Sequence, residues 1–158
     1  RAGRGEKGGH VLVQTYTPDH PCITLAAQHD YLGFAKLELG FRKEHQYPPF
    51  QKMARVIIRS EKPDHAEAFA EQMASAFQLA VQRMLKKREQ QNGSGPPVRV
   101  LGPAECPVFK LHDFYRFHFQ LQAQNSGELH DVLREVLAVT KPQHGVEFQV
   151  DIDPMNML

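Results

Sequence analysis

The chain has 158 residues, 41% of them hydrophobic and 23% charged, with a formal net charge of +1. That is room for one domain, or one domain with an appendage, and enough apolar material for a core; it excludes a partner chosen by bulk charge. Two cysteines far apart in sequence, Cys22 and Cys106, exclude a disulfide framework and read as reduced thiols of a cytoplasmic protein, and no apolar run approaches the roughly 20 residues of a membrane span.

The first five residues, "RAGRG", set Arg1 and Arg4 three apart among glycines. Such arginines can meet on one side of a helical turn, and guanidiniums placed at a nucleotide γ-phosphate stabilise the charge of phosphoryl transfer. The alternative is a basic, Gly-rich tail. Residues 11–17, "VLVQTYT", read as a short strand, which "TPDHP" breaks with two prolines. Residues 20–45 read as one helix, with a loose apolar stripe of Ile23, Leu25, Ala26, Tyr31, Phe34, Leu37 and Phe41. "YPPF" at 47–50 stops it. A domain boundary is expected there, dividing residues 1–50 from 51–158.

Beyond the boundary the periodicities sharpen. "MARVIIR" (53–59) alternates as a strand, Ala54, Val56 and Ile58 on one face and Met53, Arg55, Ile57 and Arg59 on the other. Pro63 opens a long helix whose apolar residues, from Ala66 through Phe69, Met73 and Phe77 to Met84, step by three and four. Its basic C-terminal end, Arg83 to Arg88, reads as a solvated face complementing the macrodipole. After the loop "NGSGPP" (92–97), "VRVLG" and "CPVFKL" predict a broken edge strand kinked by Gly102, Pro103 and Pro107.

His112-Asp113 suits a tight turn into "FYRFHFQLQAQ" (114–124), which alternates strictly. Tyr115, Phe117, Phe119, Leu121 and Ala123 share one face; Phe114, Arg116, His118, Gln120 and Gln122 share the other. Asn125 with Glu128 resembles a capping box for a helix striped by Leu129, Val132, Leu133, Val136 and Leu137. Pro142 and Gly145 stop it before a last strand, "VEFQVDI" (146–152).

From residue 51 the order is β-α-β-β-α-β, and each helix has a single apolar stripe. The expected fold class is therefore α+β: a ferredoxin-like split βαββαβ, an antiparallel four-stranded sheet with both helices on one face and the first and third strands central. The uncovered face carries Arg55, Arg59, Arg116, His118 and Gln120. Guanidiniums fork onto phosphates, and His and Gln supply adaptable hydrogen bonds, so these five are the candidate nucleic-acid-binding set. A solvated face, or one packed on a neighbouring domain, is the alternative. Aromatic platforms are thin there, with Phe114 alone. No metal site is expected: no histidine pair has helical i, i+4 spacing and no C-x-x-C occurs. Asp151 and Asp153 could share a side, more as edge-strand charges than as an acid–base pair.

Four segments together carry a resemblance. "RAGRGEKGGHVLVQTYTPDHP" resembles the tail of motif VI of superfamily-two helicases. "FRKEHQYPPFQKMARV", "RVLGPAECPVFKLHDFYRFHFQLQ" and "VDIDPMNML" resemble, in order, the region after the second motor lobe of the primosomal protein N′ (PriA) helicases. The resemblance implies a parent that is an ATP-dependent 3′→5′ DNA helicase of replication restart and primosome assembly. ATP, magnesium and zinc are cofactors implied for that parent only. It implies forked or single-stranded DNA, single-stranded DNA-binding protein and other primosome proteins as partners, and no membrane. Residues 1–50 would be a remnant of a RecA-like lobe carrying Arg1 and Arg4, the latter the better candidate for an arginine finger. The rest would be a C-terminal αβ domain that helps bind DNA.

No Walker A or Walker B motif and no cysteine-rich zinc insertion occurs, so the chain alone is expected neither to hydrolyse ATP nor to hold structural zinc. Where the resemblance implies a Gly-containing basic turn, this sequence has His112-Asp113-Phe114. The expected role is binding to DNA; the rival is a protein–protein docking module, for the motor or for single-stranded DNA-binding protein. A small ferredoxin-like enzyme is a third reading, for which no nucleophile–base–orienter set is visible.

Overall fold

A computed structural model describes residues 9–90 and 96–154. The chain divides into two compact units, one ending at Phe41 and one beginning at Arg42.

The single helix expected over 20–45 is two. Helix α1 (Pro21–Ala27) begins where His20 Nδ1 accepts the Cys22 N–H at 3.2 Å, with Pro21 in the first turn, where its missing N–H costs nothing. Helix α2 (Tyr31–Glu44) begins where Asp30 Oδ1 accepts the Gly33 N–H at 2.8 Å. Between them His29 takes a left-handed φ of 55°. Two local caps and one left-handed residue therefore interrupt a stripe that reads as continuous. Neither helix has a buried residue.

The strand expected over 11–17 does not form. Val11, Leu12 and Val13 are exposed coil. A strand exists only where a neighbour takes up its backbone N–H and C=O groups, and no described strand pairs with this segment.

From Lys52 the expected architecture is present. Strand β1 (Lys52–Ser60) is followed by α3 (Pro63–Gln90), β2 (Arg99–Leu111), β3 (Phe114–Ala123), α4 (Ser126–Val139) and β4 (Val146–Ile152). The sheet order is β2-β3-β1-β4, antiparallel throughout. This is the α+β, ferredoxin-like split βαββαβ with β1 and β3 at the centre. Both helices pack on one face. Ala54, Val56 and Ile58 meet Phe69, Met73 and Phe77 of α3 and Leu129, Val132 and Val136 of α4 in one core. Phe119 of β3 is fully buried, its ring centroid 5.1 Å from that of Phe77.

Local chemistry sets the junctions. The β2–β3 hairpin turns on His112 and Asp113 at φ 49° and 67°, the paired positive values a two-residue type I′ turn requires. Asn125 Oδ1 caps α4 by accepting the Glu128 N–H at 2.9 Å. The basic end of α3 is mostly solvated, as read from sequence, with Arg83, Lys86 and Lys87 exposed, and two of its arginines also tie the two helices together. Arg83 meets Glu135 at 2.6 Å and Arg88 meets Glu128 at 2.7 Å.

The expected break in β2 is absorbed without ending the strand. It remains one edge strand, with register shifts between Leu101 and Ala104 and between Glu105 and Lys110. These are the bulges that Gly and Pro impose on an edge.

Candidate functional site

The sheet face opposite α3 and α4 carries the five candidate residues, and strand register decides how they meet. Arg55 lies opposite Gln120 and Arg59 opposite Arg116 on β3; Arg59 lies opposite Glu147 on β4. The face resolves into two environments.

At one, the side chains lie along the sheet and enclose each other. Arg55 is only 2% exposed. Its Nε–H donates to His118 Nδ1 at 3.1 Å, and its Nη2 approaches Cys106 Sγ on β2 at 3.7 Å. An Nδ1 that accepts must leave the proton of the neutral ring on Nε2. Burial holds His118 below its ordinary pKa of 6.5, and the Arg55 and Arg116 guanidiniums push it the same way. Its imidazole is therefore neutral at pH 7. Burial pushes the Cys106 thiol up from 9.0, against the lowering pull of Arg116 and Arg55. Cys106 is thus a protonated, buried thiol.

At the other environment the charge is accessible. Arg59 is clamped by Glu147: Nη2 at 2.6 Å and Nε at 2.8 Å from the same Oε2. Its guanidinium lies 5.1 Å from the centroid of the Phe114 ring. Two like charges opposite each other on neighbouring strands repel; Glu147, on the far side of Arg59, offsets that repulsion. Arg116 is 9% exposed, and its side chain makes no hydrogen bond or ion pair with another described residue. A hollow of about 490 Å³ opens beside it, lined by Arg59, Arg116, Phe114, His112, Glu147 and Gln149 among others.

Of the expected set, then, Arg59 is exposed and Gln120 half-buried, Arg116 borders the hollow, and Arg55 and His118 are enclosed. Arg1 and Arg4 lie outside the described residues. Cys106 was missed as a member of this face, and Glu147 as the partner of Arg59. Alternation along 146–152 puts Glu147 on the outward face with Gln149 and Asp151, but only the register with β1 shows that it meets Arg59. Cys106 sits within the bulged part of β2, where alternation no longer reports the face.

The Asp151–Asp153 pair does not form an acid–base couple. Asp153, at φ 50°, accepts the Met53 N–H on Oδ1 at 3.1 Å, its own N–H donates to the Met53 carbonyl at 2.8 Å, and Lys52 lies 3.6 Å from Oδ2. It locks the end of β4 to the start of β1. Among the described residues no three His, Cys, Asp or Glu side chains gather as a metal site. None of the described helices is long and apolar enough to cross a membrane.

Comparison with known proteins places this geometry in context. Residues 43–155 match the family described as the primosomal protein N C-terminal domain. The chain is 33% identical to the replication restart protein PriA of Bacillus subtilis over 100% of its own length and 18% of that protein's. It is 32% identical to the PriA of Treponema pallidum over 100% of its length and 22% of the relative's. It is also 32% identical to the PriA of Haemophilus influenzae, over 99% and 20%. The chain thus spans about a fifth of the length of these relatives.

Proposed function

The chain belongs to the primosomal protein N C-terminal domain family, and on that premise we propose that it serves replication restart as a DNA-contacting domain of a PriA-type helicase. One observation carries the DNA reading. The sheet face away from the helices presents two guanidiniums at one end, Arg59 beside an aromatic ring and Arg116 without a protein partner among the described residues. Guanidiniums of this kind bind phosphate oxygens in forked geometry.

The wider expectation stays part of the same proposal. The whole protein unwinds DNA 3′→5′ at the expense of ATP, with Arg1 and Arg4 contributing to its nucleotide site. Forked or single-stranded DNA, single-stranded DNA-binding protein and other primosome proteins are its partners, and it works in the cytoplasm. The described residues offer neither a phosphate-cradling loop nor a cluster of metal donors. ATP, magnesium and zinc belong, in this reading, to the rest of such a protein, and no step here passes through them.

The experiment is a titration of the chain with labelled forked and single-stranded DNA at several salt concentrations. Binding should weaken steeply with salt as neutralised phosphates release counterions. Arg59→Ala and Arg116→Ala should each lower affinity and flatten the salt slope by about 0.7 to 0.9 for each phosphate no longer neutralised. Unchanged binding in both variants would reject this surface.

A protein-docking role is favoured by a separate observation. Tyr31, Leu32, Leu37, Leu39 and Phe41 are exposed on several sides of α2, apolar side chains of the kind another protein can cover. In the intact helicase these side chains would meet the rest of the motor.

A further inference from the structure

The hollow at the Arg59 end of the sheet has features that phosphate binding alone does not need. Arg116 is a permanent cation, 9% exposed, that neither bonds nor pairs with another described residue. None of its nitrogens is buried without a partner, so the guanidinium opens onto the water of the hollow and can take an anion from it. Beside it the Phe114 ring and the Arg59 guanidinium lie 5.1 Å apart, and Glu147 holds Arg59 in place through two short contacts. A planar cation against an aromatic ring, held by a carboxylate, forms a platform for another flat group. Exposed Gln149 and His112 border it with polar atoms. The volume, about 490 Å³, falls within the roughly 300–1,000 Å³ of small-molecule sites.

We propose that this hollow holds one unstacked nucleotide of single-stranded DNA, its base against the Phe114–Arg59 platform and its phosphate on Arg116. The inference rests on the DNA-contacting role proposed above and narrows it. The face does not merely track a backbone; at one point it captures a base. The ligand must carry both a flat ring and an anion. A peptide carboxylate with no aromatic side chain beside it would satisfy Arg116 and leave the platform unused. Stacking is tolerant of sequence, because every base has a π-face, so capture should favour an unpaired nucleotide over a particular base.

The test uses the full chain carrying Phe114→Trp. The protein has no other tryptophan, so the new indole is a single reporter that keeps the platform aromatic. Two probes of equal length are compared: a thymidine 12-mer and a 12-mer of abasic sites. The thymidine strand should quench the indole, and the abasic strand should bind about tenfold more weakly and leave it bright. In the unsubstituted chain, Phe114→Ala should erase the difference between the probes, whereas Arg116→Gln should weaken both alike. Equal binding of the two probes with no quenching overturns base capture and leaves the DNA-contacting role standing. Binding of neither probe removes both. Quenching by a short acidic peptide with a free C-terminal carboxylate, and not by the thymidine strand, would hand the hollow to a protein partner.

Discussion

Gly102 offers a test of how the bulged edge strand is held against the centre of the sheet. Its φ is +115°, and a Cβ built there would lie 2.6 Å from the carbonyl oxygen of His118 and 3.2 Å from the Phe119 Cα. Both are backbone atoms of β3, so no side chain can swing aside. Gly102→Ala should therefore carry two costs. A non-glycine residue at this φ is strained by about 1–3 kcal/mol. Forcing β2 away from β3 adds about 1–3 kcal/mol, the usual range for overpacking.

Together these predict a loss of about 2–6 kcal/mol. At roughly 4–8 °C per kcal/mol for a domain of this size, the melting temperature should fall by about 8 °C or more. Gly145→Ala is the control. Its φ is +83°, but a Cβ there would meet nothing within 4 Å, so only the backbone cost of about 1 kcal/mol applies. Urea and thermal melts of both variants, followed by circular dichroism, read the difference. If Gly102→Ala were no more destabilising than Gly145→Ala, the close approach of β2 to β3 would be wrong, and with it the placement of Cys106 beside Arg55.

Stability should hold between about pH 6.5 and pH 9 and fall on both sides. His118 binds its proton less readily folded than unfolded because of burial and then the Arg55 and Arg116 charges, so its contribution is present above 6.5 and lost as pH falls. Cys106, raised by burial against Arg116 and Arg55, contributes below 9.0 and loses that contribution as pH rises. Urea midpoints across this range check both arms; an acid arm no smaller in His118→Gln than in the wild type would refute the assignment to His118. Asn125→Ala should cost about 1 kcal/mol, because Asn125 Oδ1 is the acceptor of the Glu128 N–H at the start of α4; a melt unchanged within error would mean the cap is replaced by water. Glu147→Gln should change stability by less than about 1 kcal/mol, since its pair with Arg59 is about half exposed. It should weaken binding to single-stranded DNA, because Glu147 holds Arg59 against the Phe114 ring; tighter binding would count against that platform.

Most of the domain from Lys52 onward was legible because it is written in local patterns. A period of two places Val56 and Ile58 on one face of β1, and steps of three and four place Phe69, Met73 and Phe77 on one stripe of α3. Neither pattern needs to know its partner. Asn125 and the His112-Asp113 turn were readable for the same reason, since cap and turn chemistry acts within a few residues. The segment over 11–17 failed where locality fails. Its apolar β-rich composition is that of a strand, but a strand is a relation to a neighbour, and composition cannot supply one.

Period two also reports the side of the sheet a residue leaves from, and not where its end arrives. Arg55 and Arg59 leave β1 on the same face, four residues apart, and look equivalent in sequence. Arg55 reaches sideways to His118 and Cys106 and is covered; Arg59 meets Glu147 and Phe114 and stays in solvent. The difference comes from β2 and β4, which flank the two central strands with different residues: a bulged, thiol-bearing edge on one side and a carboxylate on the other. A long side chain takes its environment from the strands flanking its own, whose register is set by contacts distant in sequence. For that reason the chemistry of this face, an enclosed neutral imidazole at one end and an accessible pair of guanidiniums at the other, emerges only once four strands are aligned.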